Sequence, residues 1–243
     1  MPPPYQKLHW SKFVEIPHSV QGAVGTPPAI WAKKNALPNI PNASQLPALK
    51  LCRQQVRQIC IDPSIDVLFA YICVMAWGGQ GEKHALSSWS HPSLSNDLRT
   101  LRKGGLSRRD AYMIFESDGK IPGLGPSYFT KLLYFFSQNF AIGEAPYIVD
   151  NKIRDSMTLL TGSPFDFDAN RGSYQACCEE IDDMSIIVGR SGQEIEERLF
   201  SQRGAPWWKY VNKAANSPNL SRPAYRQQMH SRYSHIVLSD FQS

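Results

Sequence analysis

Residues 120–131 read Lys-Ile-Pro-Gly-Leu-Gly-Pro-Ser-Tyr-Phe-Thr-Lys, and this stretch decides the fold that we predict. Gly123 and Gly125 permit a tight turn, because glycine adopts backbone conformations that other residues avoid. Pro126 suits the first position of a helix, where its missing N–H would have no partner. The free N–H groups at a helix start point outward and attract anions. The stretch therefore predicts a turn before a helix that can hold a phosphate.

A helical pattern with apolar positions between residues 111 and 115 precedes this turn. Together the segments predict a helix-hairpin-helix at about 108–138, a motif that contacts the DNA backbone without reading sequence. Gly123, Gly125 and Ser127 are the candidate backbone-binding residues. A purely structural connection between two helices is the alternative, and the turn residues alone leave it open.

Helical periodicity dominates the rest of the chain, and strand-like alternation is scarce. A nearly all-apolar segment from Pro63 to Trp77 predicts a buried central helix, and a helical pattern from Ser44 onward precedes it. We predict an all-α fold of two helical lobes flanking a cleft. Further helices are predicted at about 94–102, 108–117, 126–138, 149–160, 173–188, 193–202 and 207–215.

The first fifty residues contain nine of the eighteen prolines, spaced so that no long helix fits. We therefore predict an extended, proline-rich segment over residues 1–44, packed along a helical body formed by residues 45–243. Apolar residues such as Phe13 and Trp31 favour packing of this segment over a free tail.

Composition excludes several classes of protein. The 243 residues are 42% hydrophobic and 19% charged, as in a folded globular protein. Five cysteines without a Cys-x-x-Cys motif exclude a zinc ribbon, a four-cysteine iron–sulfur cluster and a disulfide framework, and the six histidines lack metal-ligand spacing. No apolar run approaches the ~20 residues of a membrane span. We expect a cytoplasmic monomer with no metal, no cofactor and no membrane contact.

The net charge of +5 divides unevenly along the chain. Residues 1–143 carry fifteen basic and eight acidic side chains, residues 144–200 carry five and twelve, and residues 201–243 carry six and one. We expect the acidic group to face water away from DNA, whereas the basic group is either a phosphate-binding stripe or a solvated helix face. The basic group is Arg99, Arg102, Lys103, Arg108, Arg109, Lys120 and Lys131, and the acidic group is Glu179, Glu180, Asp182 and Asp183.

Two sequence patterns resemble known proteins. Ile121-Pro-Gly-Leu-Gly125 followed by Tyr147-Ile-Val-Asp150 resembles the helix-hairpin-helix DNA glycosylase core, in which a similar hairpin precedes an essential aspartate. The hairpin and the Thr-Lys-Leu-Leu-Tyr-Phe that follows it, with Met75-Ala-Trp-Gly78 and Glu194-Ile-Glu-Glu-Arg-Leu-Phe200, resemble bacterial and archaeal 8-oxoguanine DNA glycosylases. Some of the bacterial relatives are phage-defence enzymes that remove glucosylated hydroxymethylcytosine from viral DNA.

The resemblance implies catalytic roles for Asp150 and Lys131. Cleavage of an N-glycosidic bond develops positive charge at C1′, which a carboxylate stabilises, and a desolvated lysine can attack C1′ to form a Schiff base. In the best-known eukaryotic branch this lysine occupies the position of Ser127, one helical turn before Lys131 and on nearly the same face. That difference leaves open whether Lys131 or water attacks.

A glycosylase must also flip its target base out of the duplex. Gln80, in the turn after the central helix, is the candidate wedge, and Trp77 is the candidate base-recognition residue. Lys152 and Arg154 are candidates for binding flanking phosphates. Local structural roles explain each of the four residues nearly as well.

These features predict an enzyme that acts on double-stranded DNA containing a modified base and leaves an abasic site. Excision of glucosylated hydroxymethylcytosine in antiviral defence is the first expectation, and 8-oxoguanine repair with abasic-site lyase activity is the second. A non-catalytic DNA-binding module and a helical scaffold for protein interaction are the alternatives from other classes.

Overall fold

The structure of the protein is a computed structural model that describes residues 5–18, 20–116, 121–141, 143–162 and 171–215. These residues form twelve α-helices and a short 3₁₀ helix at Ala43–Gln45, and their β-type pairing is one isolated bridge, Val24 with Leu51. The predicted all-α fold is confirmed. The helices are α1 (Lys7–Glu15), α2 (Pro28–Lys34), α3 (Arg53–Ile61), α4 (Val67–Gly78), α5 (Glu82–Trp89), α6 (Leu94–Lys103), α7 (Arg108–Glu116), α8 (Pro126–Phe136), α9 (Asn151–Thr161), α10 (Arg171–Val188), α11 (Gly192–Phe200) and α12 (Pro206–Ala215).

Helix α4 is the buried centre that its apolar sequence predicts. All residues from 69 to 77 are buried, and α2, α3, α6 and α8 pack against the helix. Asp66 Oδ1 accepts a hydrogen bond from the Leu68 N–H at 2.8 Å and so caps the first turn, and Gly79 ends the helix with a φ of 72°. Among the described residues, no helix is both long enough and apolar enough to cross a membrane.

Helices α6 to α12 begin and end within two residues of the predicted bounds, whereas two elements differ. The helical pattern from Ser44 predicts a helix too early, since α3 begins only at Arg53. Pro47 interrupts the pattern, and the Cys52 N–H donates to Gln55 Oε1 at 2.9 Å to start the helix. Helix α5 was not predicted, because its sequence carries too few apolar residues in a helical period.

The prediction of an extended N-terminal segment is wrong over two stretches, α1 and α2. Helix α1 has no proline inside it, and Pro28 occupies the first turn of α2, where proline is tolerated. Phe13 and Trp31 are buried, as the packing prediction requires. The division into a segment of residues 1–44 and a body of residues 45–243 stays a prediction.

The described residues fall into two compact units. Unit 1 comprises the described parts of residues 1–19, 152–165 and 198–243, and unit 2 comprises those of residues 20–151 and 166–197. Unit 1 contains α1 and α12, whereas unit 2 contains α2 to α8 and α10. The predicted cleft stays a prediction.

Candidate active site

In unit 2, α7 precedes the predicted hairpin and α8 follows it. The structure describes residues 121–125 of the turn, residues 117–120 lie outside the described part of the chain, and the helix-hairpin-helix at about 108–138 stays a prediction. The Leu124 N–H donates to the Ile121 carbonyl oxygen at 3.1 Å, which closes the turn. Gly123 has a φ of 79°, and Gly125 precedes α8 in an extended conformation, where it offers no side chain to cap the helix. The Tyr128 and Phe129 N–H groups donate to the Gly125 carbonyl oxygen, so the Ser127 N–H is the one on this turn that is left for an acceptor from outside the helix.

Gly123 is required by close packing as well as by its φ angle. A Cβ atom at this position would lie 2.7 Å from the His84 carbonyl oxygen. The hairpin turn thus rests directly on the backbone of α5. A side chain larger than glycine at residue 123 would push the two apart.

Gln80 lies inside the protein and connects the α4–α5 turn to the hairpin. Its Nε2 donates to the Gly123 carbonyl oxygen at 3.0 Å, its Oε1 lies 3.4 Å from the Tyr71 hydroxyl, and its own carbonyl oxygen accepts from Trp31 Nε1 at 2.9 Å. The side chain is 3% exposed. This environment favours a positioning role for Gln80, and its role as a wedge stays a prediction.

Lys131 is a buried amine on the second helix of the motif, and its side chain is 4% exposed. Its Nζ donates to the Ser127 carbonyl oxygen one turn earlier and lies 5.6 Å from the centre of the Tyr128 ring. Gly78 makes room for the lysine stem, because a Cβ there would lie 2.8 Å from Lys131 Cδ. The predicted alignment of Lys131 with Ser127 on one helix face is therefore present.

Asp150 lies next to this amine. The Asp150 Oδ2 is 3.7 Å from Lys131 Nζ, and the carboxylate side chain is 14% exposed. The preceding residue is fixed to α8, because the Val149 N–H donates to the Thr130 hydroxyl at 3.2 Å. The hydrogen bond between Thr130 and Val149 thus brings their chain neighbours, Lys131 and Asp150, together. The Asp150 carboxylate remains partly accessible to solvent.

A family of known proteins matches most of the chain. The family described as "Putative 8-oxoguanine DNA glycosylase OGG-like protein" matches residues 17–200. The chain belongs to this OGG-like family. The match includes the hairpin, Lys131 and Asp150. It places the chain among the DNA glycosylases, and membership of this family implies DNA binding. Among curated proteins and among solved structures, no match was found.

This OGG-like protein also contains a buried ion pair that the sequence did not reveal. Glu196 is fully buried and binds the Arg53 guanidinium through both carboxylate oxygens, with Oε1 3.3 Å from Nη2. Arg53 lies over two rings, at 5.5 Å from the centre of Trp77 and 5.0 Å from that of Tyr134. Burial raises the pKa of Glu196, Arg53 opposes this rise, and the negative charge of Asp150 adds to it.

Trp77, the predicted base-recognition residue, is packed in the core of unit 2. Its ring meets Phe135 edge to face with centroids 5.0 Å apart, and it is 3% exposed. The contact with Arg53 covers it further. Contact between Trp77 and a base stays a prediction.

Two arginines of the predicted basic stripe are structural. Arg102 donates to the carbonyl oxygens of Cys60 at 2.7 Å and Ile65 at 2.5 Å. Arg108 is fully buried and pairs with Asp182 at 2.8 Å, and the Asp182 side chain is 28% exposed, so this member of the acidic group faces water only in part. Arg99, Lys103 and Arg109 are exposed and remain available to phosphates.

Lys152 and Arg154 lie in unit 1 on α9, and both are half-buried. Lys152 Nζ lies 4.2 Å from the centre of the Phe200 ring, and Arg154 Nη2 lies 3.5 Å from Asp155 Oδ1. Their predicted phosphate contacts stay predictions. No cluster of three or more histidine, cysteine, aspartate or glutamate side chains suitable for a metal occurs among the described residues.

Proposed function

We propose that this chain flips a modified base out of double-stranded DNA and cleaves its N-glycosidic bond at the Lys131–Asp150 pair. The observation that carries the proposal is the buried amine 3.7 Å from a partly accessible carboxylate, on the helix that follows the hairpin. Family membership supports glycosylase chemistry in general. The Lys131–Asp150 pair supports the assignment of this chemistry to one position in the protein.

The hairpin supports binding of the DNA backbone next to this pair. Gly123 and Gly125 carry no side chains, and on the first turn of α8 Pro126 has no N–H while the Tyr128 and Phe129 N–H groups donate to the Gly125 carbonyl oxygen at 2.8 and 3.0 Å. The Ser127 N–H is the backbone donor of this turn that has no partner within the helix. A phosphate oxygen bound there gains the helix dipole without sequence preference. Ser127, on the first turn of α8, is one turn from Lys131. The phosphate and the reacting sugar would therefore meet the same helix.

Asp150 and Lys131 supply complementary chemistry at C1′. In the lyase route, Lys131 Nζ transfers a proton to a base such as Asp150 and attacks C1′, the bond from C1′ to the base breaks, and the base leaves with its electron pair and takes up a proton. In the hydrolytic route, Asp150 activates a water that attacks C1′ in place of the amine. In the hydrolytic route the carboxylate stabilises the positive charge that develops on the sugar before it takes the proton of the attacking water. In the lyase route Asp150 is neutral once it holds the lysine proton, so its part there is that of the base.

Replacing Asp150 tests the carboxylate. We expect Asp150→Asn to lower single-turnover base excision by about 10² to 10⁴-fold, because the amide keeps the shape but neither accepts a proton nor carries charge. The substrates are a duplex with glucosylated hydroxymethylcytosine, the proposed antiviral target, and a duplex with 8-oxoguanine, which the family description names. Mass spectrometry identifies the released base. Equal excision by both proteins would overturn the role of Asp150, and intact bonds in every modified duplex would overturn the proposed function.

Borohydride trapping tests the lysine separately. If Lys131 attacks C1′, reduction yields a covalent protein–DNA adduct in the wild type and none in Lys131→Gln. Base release without an adduct in the wild type assigns the attack to water and leaves Asp150 as the base. Lys33→Gln on α2, which removes an exposed lysine, is the control and should trap DNA as the wild type does.

A further inference from the structure

Residues 144–149, which lead to Asp150, form an irregular segment of unit 2. Residues 146–149 of this segment are buried, although they belong to no helix or strand. Buried backbone groups outside regular structure need hydrogen-bond partners from elsewhere in the protein. Those partners decide where the segment lies, and with it the carboxylate of Asp150.

A buried arginine on α7 binds the start of the segment. The Arg108 backbone N–H donates to Glu144 Oε2 at 2.8 Å. The Arg108 guanidinium donates to the Ala145 carbonyl oxygen from Nε at 3.1 Å and from Nη2 at 2.8 Å. Because Arg108 is fully buried, water does not compete for these bonds. The first two residues of the segment are thus attached to α7.

Tyr147 joins the middle of the segment to the same arginine through a carboxylate of α10. The Tyr147 hydroxyl donates to Asp182 Oδ1 at 2.6 Å, and Asp182 Oδ2 accepts from Arg108 Nη2 at 2.8 Å. The Tyr147 ring centre lies 5.5 Å from Arg108 Cζ. The Tyr174 hydroxyl, also on α10, donates to the Tyr147 carbonyl oxygen at 3.1 Å. Arg108, Tyr147 and Asp182 are called the clamp below.

Tyr147 is packed closely from another direction as well. A Cβ atom at Gly192, where α11 begins, would lie 2.6 Å from Tyr147 Cζ. The tyrosine is 4% exposed, and this burial raises the pKa of its hydroxyl, which therefore stays protonated and donates at neutral pH. The hydrogen bond between Val149 and Thr130 holds the end of the segment. These contacts fix the segment at its start, middle and end.

We propose that the clamp positions the Asp150 carboxylate for catalysis by fixing its distance from Lys131. The proposal rests on the proposed function, since the clamp acts through Asp150. Tyr147 precedes Asp150 by three residues, which span at most about 10 Å of chain, so a shift of the tyrosine reaches the carboxylate. Asp150 Oδ2 lies 3.7 Å from Lys131 Nζ, and proton transfer needs about 2.6 to 3.2 Å between heavy atoms. A displacement of about 1 Å therefore changes the rate.

Tyr147→Phe tests the clamp with a small change, because the ring and the Arg108–Asp182 pair stay in place. We expect the single-turnover rate constant of base excision at saturating enzyme to fall about 10- to 10²-fold, with unchanged affinity for DNA. Partial unfolding would lower the concentration of active enzyme and leave this saturated rate constant as it is. Tyr210→Phe removes a hydroxyl 2.9 Å from His9 Nδ1 in unit 1 and is the matched control, which should react like the wild type.

Combination with Asp150→Asn shows whether the tyrosine acts through Asp150. If it does, Tyr147→Phe should cost less than about twofold in the Asp150→Asn background, because the group that it positions is already gone. Equal fold losses in both backgrounds would overturn the proposal. Gly192→Ala repeats the comparison from α11, since its methyl group displaces the Tyr147 ring while every hydrogen-bonding group remains.

Hydrogen exchange separates the clamp from the chemistry. Peptides that cover residues 144–150 should exchange about tenfold faster or more in Tyr147→Phe than in the wild type, and at the wild-type rate in Tyr210→Phe. Faster exchange in a protein that excises no modified base would overturn the proposed function and leave the clamp supported. Unchanged exchange in Tyr147→Phe, or an unchanged rate constant where the wild type excises a base, would overturn the clamp proposal.

Discussion

At the scale of single residues, Glu196 is a buried carboxyl group whose pKa lies well above its ordinary value. Burial raises its pKa from 4.5 to about 7, although the pairing with Arg53 opposes this rise and the charge of Asp150 adds to it. Because the folded protein binds this proton more tightly than the unfolded chain, the stability from this group is full below about pH 4.5 and falls as the pH rises to about 7.

Glu196→Gln therefore removes a pH dependence of folding. We expect the free energy of unfolding of the wild type to carry a fall of about 2 to 3 kcal/mol from this group between pH 5 and pH 8, and the variant to lack it. Denaturant unfolding at several pH values measures the slope. Glu15→Gln removes a carboxylate that is 59% exposed and should keep the wild-type slope. An identical slope in Glu196→Gln would contradict the pKa of Glu196.

Lys131 and Asp150 became the candidate catalytic residues through the resemblance to DNA glycosylases, in which the hairpin precedes the catalytic residues at short range. Lys131 is on the helix that the motif begins, and Asp150 precedes the next helix. The Arg53–Glu196 pair could not be predicted, since 143 positions separate its partners and the pattern from Glu194 to Phe200, which contains Glu196, does not show which residue pairs with it. Buried ion pairs of this kind depend on how distant helices pack.

At the scale of elements, the two hairpin glycines have different physical roles. Gly123 has a φ of 79°, and a Cβ atom placed on it would lie 2.7 Å from the His84 carbonyl oxygen. Gly125 has a φ of −73°, and a Cβ atom placed on it would have no neighbour within 4 Å. Gly123 is required by the fold of the turn. Gly125 instead leaves open space in front of α8, where the proposed phosphate would bind.

The matched variants Gly123→Ala and Gly125→Ala should separate folding from DNA binding. We expect Gly123→Ala to lose about 1 to 3 kcal/mol of stability or more, through backbone strain and the contact with His84. Gly125→Ala should unfold like the wild type and bind DNA more weakly, because its methyl group occupies the phosphate position. Thermal melting and a DNA-binding titration at fixed salt measure the two effects. Equal melting of the two variants would contradict the distinction.

Most helices could be predicted from the sequence, whereas the contacts between the helices could not. Gly125 and Pro126 mark the start of α8, and apolar periodicity gives its length. The contact of Gln80 with Gly123 joins two turns 43 positions apart, and a glycine-rich turn alone also suits an exposed wedge. Local sequence cannot distinguish these two environments of Gln80.

At the scale of the whole molecule, some of the basic and acidic side chains that lie far apart in the sequence are neighbours in the described structure. Arg53 and Arg108 belong to the basic part of the sequence, and each pairs with a carboxylate from the acidic part. Those arginines stabilise unit 2 internally and leave the exposed Arg99, Lys103 and Arg109 for electrostatic attraction of DNA. A count of basic residues in the sequence overestimates the exposed positive charge, because it does not show that Arg53 and Arg108 are buried.

Unit 1 has a core of its own that lies partly outside the family match. Helices α1 and α12 fall before and after residues 17–200, yet the Phe13 ring meets Trp207 edge to face at 5.0 Å. The Arg198 guanidinium donates to the carbonyl oxygens of Phe13 and Ile16, both at 2.6 Å. Through this packing α1 contacts α12, the first and the last helix that the structure describes.

Phe13→Ala should therefore destabilise unit 1 strongly. Phe13 is 1% exposed, and truncating a buried phenylalanine costs about 3 to 5 kcal/mol through lost burial and the remaining cavity. Val14→Ala, on the same helix but 46% exposed, should cost less than about 1 kcal/mol. Denaturant unfolding followed by tryptophan fluorescence measures both, since Trp207 is the contact of Phe13. Equal costs would show that α1 does not depend on this core, and a loss confined to Phe13→Ala would show that the packing of unit 1 needs a helix outside the matched region.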